Sequence, residues 1–176
     1  RDIIDQLSVF SRSGIGGTRV DLDVNECAKQ ARDELAGLLQ QRDVKVQLEL
    51  DATRPVIRCD RAHLKTVLHN VLINASHAYA GHEVAKPHRV ILRTERVADK
   101  VQIHCIDRGA GMSAEVVERA VEPFYTTRDV GDGTGLGLYI CDRLVTDHGG
   151  RLALESVEGE GTTVLSHAIA NSDAFS

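Results

Sequence analysis

Asn70-Val71-Leu72-Ile73-Asn74-Ala75-Ser76-His77-Ala78 places two asparagines four residues apart inside an otherwise apolar helical pattern. That pattern runs from an N-cap at Asp60 to about Tyr79, with Leu64, Val67, Leu68, Val71, Leu72 and Ala75 on its buried side. Four-residue spacing stacks both amides on one face, with His77 about one turn further on. Asparagine is a poor helix former, and an amide buried without a partner costs about 1 to 3 kcal/mol. Two aligned asparagines therefore call for a ligand or a hydrogen-bond network; the alternative is a solvated polar edge of the helix. Amide oxygens also suit Mg2+ held beside phosphates.

Around this helix the apolar pattern alternates between helical and strand periods. Asp23 with Glu26 three residues on reads as a capped helix start, and Cys27, Ala31, Leu35 and Leu38 continue it to Gln41. Residues 44–50 alternate as a half-buried strand, and Val56-Ile57-Arg58 reads as a short one. Residues 89–97 and 100–106 form a hairpin across Ala98-Asp99, with Val90, Leu92, Val101 and Ile103 as core candidates. A second hairpin, 151–157 with 162–169, flanks Glu158-Gly159-Glu160-Gly161, and a third long helix is expected over 135–147. The order lacks βαβ regularity. It predicts an α/β (α+β) two-layer sandwich, a mixed and mostly antiparallel sheet covered on one face by three helices.

At 176 residues the chain suffices for one ordinary core. Its composition is 42 % apolar and 27 % charged with a mean hydropathy of -0.18, and no run reaches the ~18 apolar residues of a membrane span. A net charge of -5 with scattered Lys and Arg offers no basic stripe to track a phosphate backbone, which argues against nucleic acid as a partner. Cys27, Cys59, Cys105 and Cys141 show no CxxC spacing and read as reduced thiols in a cytoplasmic setting.

Two glycine clusters supply the remaining chemistry. Asp107-Arg108-Gly109-Ala110-Gly111-Met112 sits at the exit of a strand, one carboxylate followed by glycines that let a ligand approach backbone closely. Gly131-Asp132-Gly133-Thr134-Gly135-Leu136-Gly137-Leu138 leads straight into a helix and offers bare N–H groups at a positive dipole end, a phosphate cradle. Its spacing is neither GxGxxG nor GxxxxGK[ST]. The alternative for it is a flexible loop with a helix cap. Between the clusters, Glu122-Pro123-Phe124-Tyr125-Thr126-Thr127-Arg128-Asp129 reads as a lid, with Arg128 able to meet phosphate oxygens and Phe124 able to pin the segment to the domain when closed.

Taken in order, these four stretches resemble the N, G1, F and G2 boxes of sensor histidine kinases, and His148-Gly149-Gly150 and Gly159-Glu160-Gly161-Thr162-Thr163 resemble that family's C-terminal end. The resemblance implies a Bergerat-type ATP pocket with ATP and Mg2+ as cofactors. By similarity, Asp107 accepts a hydrogen bond from the adenine amino group, Asn74 ligates Mg2+ and Asn70 assists it as metal ligand and catalytic partner. The implied nucleotide contacts also include His77, Gly109, Gly111, Met112, Phe124, Thr127, Arg128, Gly133, Thr134, Gly135, Leu136, Gly137 and Leu138, with Thr162 or Thr163 reaching adenine through water. Hydrolytic relatives carry a glutamate at the position of Asn70. An amide takes no proton, which favours phosphoryl transfer to a protein side chain over ATP hydrolysis. The alternative is a degenerate, non-catalytic nucleotide-responsive module on the same fold.

The resemblance also implies partners: an upstream dimerisation and phosphoacceptor hairpin of the same protein, a response regulator, and a homodimer in the full-length kinase. Residues 1–17, an amphipathic stretch ending in Gly14-Ile15-Gly16-Gly17, resemble the end of a dimerisation helix plus linker. The catalytic domain is expected over 18–170, followed by a tail over 171–176. His82-Glu83-Val84-Ala85-Lys86-Pro87 matches the family's H-E-x-x-x-P phosphorylation box only superficially, because it follows the asparagine helix instead of preceding the domain.

Overall fold

The computed structural model describes residues 18–51, 53, 55–80, 87–128 and 133–169. The front segment 1–17, the tail 171–176 and the box residues 82–86 lie outside them.

A small antiparallel ribbon sets the two helices that begin the domain. Strand β1 (Arg19–Asp23) pairs with β3 (Val56–Asp60), and each strand ends in the aspartate that caps the next helix. Asp23 Oδ1 accepts from the N–H groups of Asn25 and Glu26 at 2.9 and 3.4 Å to start α1 (Val24–Glu34). Asp60 Oδ1 accepts from those of Ala62 and His63 at 2.7 and 3.2 Å to start α3 (Arg61–His77). Both caps satisfy N–H groups that a helix start leaves open. The Glu26 side chain does not close a capping box; it pairs with Lys29 at 2.7 Å.

The helix expected over 23–41 is broken at Leu35, whose φ of −93° and ψ of 2° separate α1 from α2 (Ala36–Gln41). Strands β2 (Val44–Glu49), β4 (His88–Val97), β5 (Lys100–Ile106), β6 (Arg151–Val157) and β7 (Gly161–Ile169) form one sheet in the order β2-β4-β5-β7-β6. Only β2 with β4 is parallel, so the sheet is mixed and mostly antiparallel as the hairpins predict. The short Val56 strand belongs to the separate ribbon and not to this sheet. Between the glycine clusters a six-residue helix, α4 (Ala114–Arg119), starts at a Ser113 cap, and α5 (Gly137–Asp147) follows the second cluster.

The core lies between the sheet and one layer of helices. Val90, Leu92, Val101, Ile103 and Val164 from the strands meet Leu68 and Leu72 of α3 and Ile140 and Leu144 of α5, all buried. Strand alternation sends Arg93, Glu95 and His104 to the opposite, polar face, where His104 Nε2 lies 2.8 Å from Glu95. Within the core, Cys105 and Cys141 donate their thiols to the Val71 and Val67 carbonyls of α3. All four cysteines are free and buried. Among the described residues no helix is long and apolar enough to cross a membrane.

Candidate functional site

The asparagine helix and the second glycine cluster face each other. Gly137 opens α5 against α3 so closely that a Cβ there would lie 3.3 Å from Asn70 Oδ1 and 3.7 Å from Asn74 Nδ2. Asn70 is buried and Asn74 half-buried, so both amides lie where α3 meets the start of α5. Thr134 Oγ1 accepts from the Leu136 N–H at 3.2 Å and shapes the turn into α5; Leu136 is buried, while Leu138 packs against the core. From the lid side, Arg128 Nη2 donates to Asn74 Oδ1 at 3.1 Å. That oxygen thus already faces a cation, while the absent side chain of Gly137 leaves room beside Asn70 Oδ1 and Asn74 Nδ2. Among the described residues no three His, Cys, Asp or Glu side chains could hold a metal ion. A cation at the amides would therefore complete its shell with phosphate and water oxygens.

The first glycine cluster is welded to the C-terminal end of the same helix. The Ala110 N–H donates to the Ala78 carbonyl at 2.8 Å, and Gly109 approaches Ala78 too closely to carry a side chain. The tip of the β6–β7 hairpin closes the other side: Gly159 N–H donates to the Ala110 carbonyl at 2.7 Å, and the Met112 N–H to Ser156 Oγ at 2.8 Å. Gly111 lies against Val157 in this joint. Asp107 at its head is only 6 % exposed. Burial pushes its carboxyl up from 3.8 to about 6, against the opposing pull of the Gly109 and Thr162 N–H groups. Gly109 donates to its Oδ1 at 2.9 Å.

The structure separates the two threonines. Thr162 exchanges backbone hydrogen bonds with Asp107 at 2.9 and 3.3 Å and bonds Ser156 through its hydroxyl at 2.8 Å. Thr163 is paired with Ile106 and Glu155 across the sheet, one residue out of phase with buried Cys105 and Val164, so alternation turns it to the outer face.

Phe124 does not pin the lid through its ring. Phe124 is 74 % exposed; the tie is made by backbone, the Phe124 N–H donating to the Gly135 carbonyl at 2.9 Å. Gly135 has a φ of 65° and its Cβ would stand 2.4 Å from the Phe124 carbonyl carbon, so the second glycine cluster seats the lid. Gly133 adjoins the Thr126 and Arg128 side chains, and Thr127 is exposed. His77 is the last residue of α3, half-buried on the Asn74 side of the helix. Sequence reasoning missed Tyr79, which is 4 % exposed and accepts from the Arg108 N–H at 2.9 Å; periodicity alone marks it as core.

Amide side chains, glycine backbone and a buried carboxylate thus come together along the C-terminal half of α3. Residues 59–169 match the family described as histidine kinase-, DNA gyrase B- and HSP90-like ATPases, and the chain belongs to that family. It is 32 % identical over 163 residues to the alginate biosynthesis sensor protein KinB of Pseudomonas aeruginosa, covering 90 % of this chain and 26 % of KinB. It is 35 % identical over 141 residues to sporulation kinase E of Bacillus subtilis, covering 79 % of this chain and 18 % of that kinase. Among solved structures, the nucleotide-free catalytic domain of the histidine kinase ThkA superposes with a TM-score of 0.72 at 25 % identity, over 86 % of this chain and 95 % of that domain. The chain thus spans about a quarter or less of the length of these curated relatives.

Proposed function

We propose that this chain is the ATP-binding catalytic domain of a two-component sensor histidine kinase, which moves the γ-phosphoryl group to a histidine on an upstream dimerisation helix for relay to a response-regulator aspartate. The observation that carries the reading is the paired amides of Asn70 and Asn74 opposite Gly137, with Arg128 already on Asn74. When bound, Mg2+·ATP supplies the phosphoryl group and neutralises its charge in transfer. Asn74 and Asn70, one turn apart on α3, would hold the metal with their amide oxygens, and Arg128, which here donates to Asn74, would supply positive charge for the phosphates. The N–H groups at the start of α5 meet the remaining phosphate charge. Asp107 would accept from the adenine amino group, and Thr162, bonded to the Asp107 backbone, would reach the base through water. No side chain in this set can deprotonate a water at the Asn70 position, so positioning and charge favour a protein acceptor over hydrolysis.

In this reading residues 1–17 end a dimerisation helix, 18–170 form the catalytic domain and 171–176 a tail, and this domain works in the cytoplasm as part of a homodimeric full-length kinase, whether or not that kinase is anchored in a membrane. The test is a calorimetric titration with ATP, with and without Mg2+, for this chain and Asn74→Ala, followed by phosphate transfer to a supplied dimerisation hairpin. Binding that Mg2+ strengthens only when Asn74 is present, together with phosphohistidine on the hairpin, is expected. Tight binding without transfer would leave a nucleotide-responsive module instead of a kinase.

A further inference from the structure

The Asp107 backbone is held on three sides. Its N–H donates to the Thr162 carbonyl at 2.9 Å, and its carbonyl accepts from the Thr162 N–H at 3.3 Å. The next N–H, that of Arg108, donates to the Tyr79 hydroxyl at 2.9 Å. The Asp107–Arg108 peptide plane is therefore gripped at both ends, by β7 at its oxygen and by Tyr79 at its nitrogen. Fixing that plane fixes ψ of Asp107, and with it the direction from which the carboxyl leaves the chain.

Tyr79 is itself immobilised. Its hydroxyl donates to the Arg89 carbonyl at 2.5 Å, and its ring stacks on His88 with centroids 4.4 Å apart and planes 11° from parallel. The phenol joins the end of α3, the start of β4 and the loop after β5 at one oxygen, which acts as donor on one side and acceptor on the other. A hydroxyl so placed does more than fill core: phenylalanine fills the same volume but removes the acceptor of the part-buried Arg108 N–H and the donor to the Arg89 carbonyl.

We propose that Tyr79 is a positioning residue for adenine recognition, its hydroxyl setting the direction of the Asp107 carboxyl through the Arg108 N–H. The inference rests on the reading of Asp107 as the acceptor for the adenine amino group.

The test compares ATP with purine riboside triphosphate, which lacks that amino group, on the full chain and on Tyr79→Phe. Wild type is expected to prefer ATP. Tyr79→Phe should weaken ATP about three- to tenfold and leave the amino-free analogue within about twofold, so that most of the preference disappears. Equal weakening of both ligands, or no weakening of ATP, would overturn the inference while leaving Asp107 in its role. A wild-type chain with no preference for ATP would overturn the Asp107 reading and this inference with it. A second measurement needs no variant: residue-resolved hydrogen exchange of the wild type should protect the Arg108 amide to the level of the β5 amides. An Arg108 amide exchanging at the rate of an open loop would show that the Tyr79 bond is not held, and the inference would fall.

Discussion

Arg128 places its guanidinium on Asn74, Nη2 to Oδ1 at 3.1 Å, across 54 residues of chain. The contact puts a positive group beside the amide, and it turns the amide oxygen toward the guanidinium. A cation beside an amide oxygen orients it, so Arg128 holds the Asn74 amide with its oxygen toward the guanidinium.

Arg128→Ala should therefore act on the phosphates and not on the base. Losing a charge-assisted hydrogen bond to phosphate costs about 1.5 to 3 kcal/mol, tenfold or more in ATP affinity. Adenosine, which carries no phosphate, should bind the variant and the wild type alike, and the ATP effect should shrink as salt is raised. Calorimetry with both ligands at two ionic strengths checks this. A matching loss for adenosine would mean that Arg128 shapes the pocket as a whole.

Asp107→Asn should raise stability and lower affinity together. The folded-state carboxyl titrates near 6 and the ordinary value is 3.8, so between these pH values the folded chain holds a proton that the unfolded chain has lost. The stabilising contribution is thus complete below about 3.8 and gone above about 6, and at pH 7 the buried carboxylate costs on the order of 3 kcal/mol. Asparagine keeps an oxygen for the Gly109 N–H and carries no charge to desolvate. Thermal unfolding should show the variant more stable than wild type at pH 7 and nearly equal to it at pH 4. Its ATP affinity at pH 7 should be tenfold weaker or more, since the charged acceptor is lost. A variant less stable at pH 7 would show that the carboxylate is compensated by its surroundings.

Much of this arrangement is legible in the sequence because it depends on short-range pattern. The caps at Asp23 and Asp60, the hairpins, and the amide pair on α3 are each set by residues within a few positions of one another. The features that escape it are tertiary. Arg19–Asp23 carries only two apolar residues and becomes a strand because Val56–Asp60 lies beside it. The helix α4 spans six residues, buries none of them and so offers no periodicity. Parallel pairing of β2 with β4 depends on a crossover through β3 and α3. Tyr79 reads as core because its two bonds reach 10 and 29 residues along the chain. Phe124 invites the opposite error: an aromatic in a polar stretch suggests burial, whereas here the backbone makes the tie and leaves the ring to solvent.

That tie yields a paired comparison. Gly135 and Gly159 both adopt positive φ, 65° and 81°, so alanine at either position pays about 1 to 2 kcal/mol for a left-handed conformation. Their surroundings differ. A Cβ on Gly159 meets nothing within 4 Å, whereas one on Gly135 would stand 2.4 Å from the Phe124 carbonyl carbon and 2.7 Å from its Cα. These are backbone atoms, which no rotamer change can clear. Gly159→Ala should therefore lose only the conformational cost in denaturant unfolding and bind ATP as wild type does. Gly135→Ala should lose roughly 2 kcal/mol more, or else release the Phe124 N–H from the Gly135 carbonyl and bind ATP more weakly. In the second case the lid would exchange its amide protons faster while the sheet kept its protection, which separates an unseated lid from a damaged domain. Two variants of equal stability and equal affinity would show that the Phe124 segment yields freely, and that the second glycine cluster does not hold the lid.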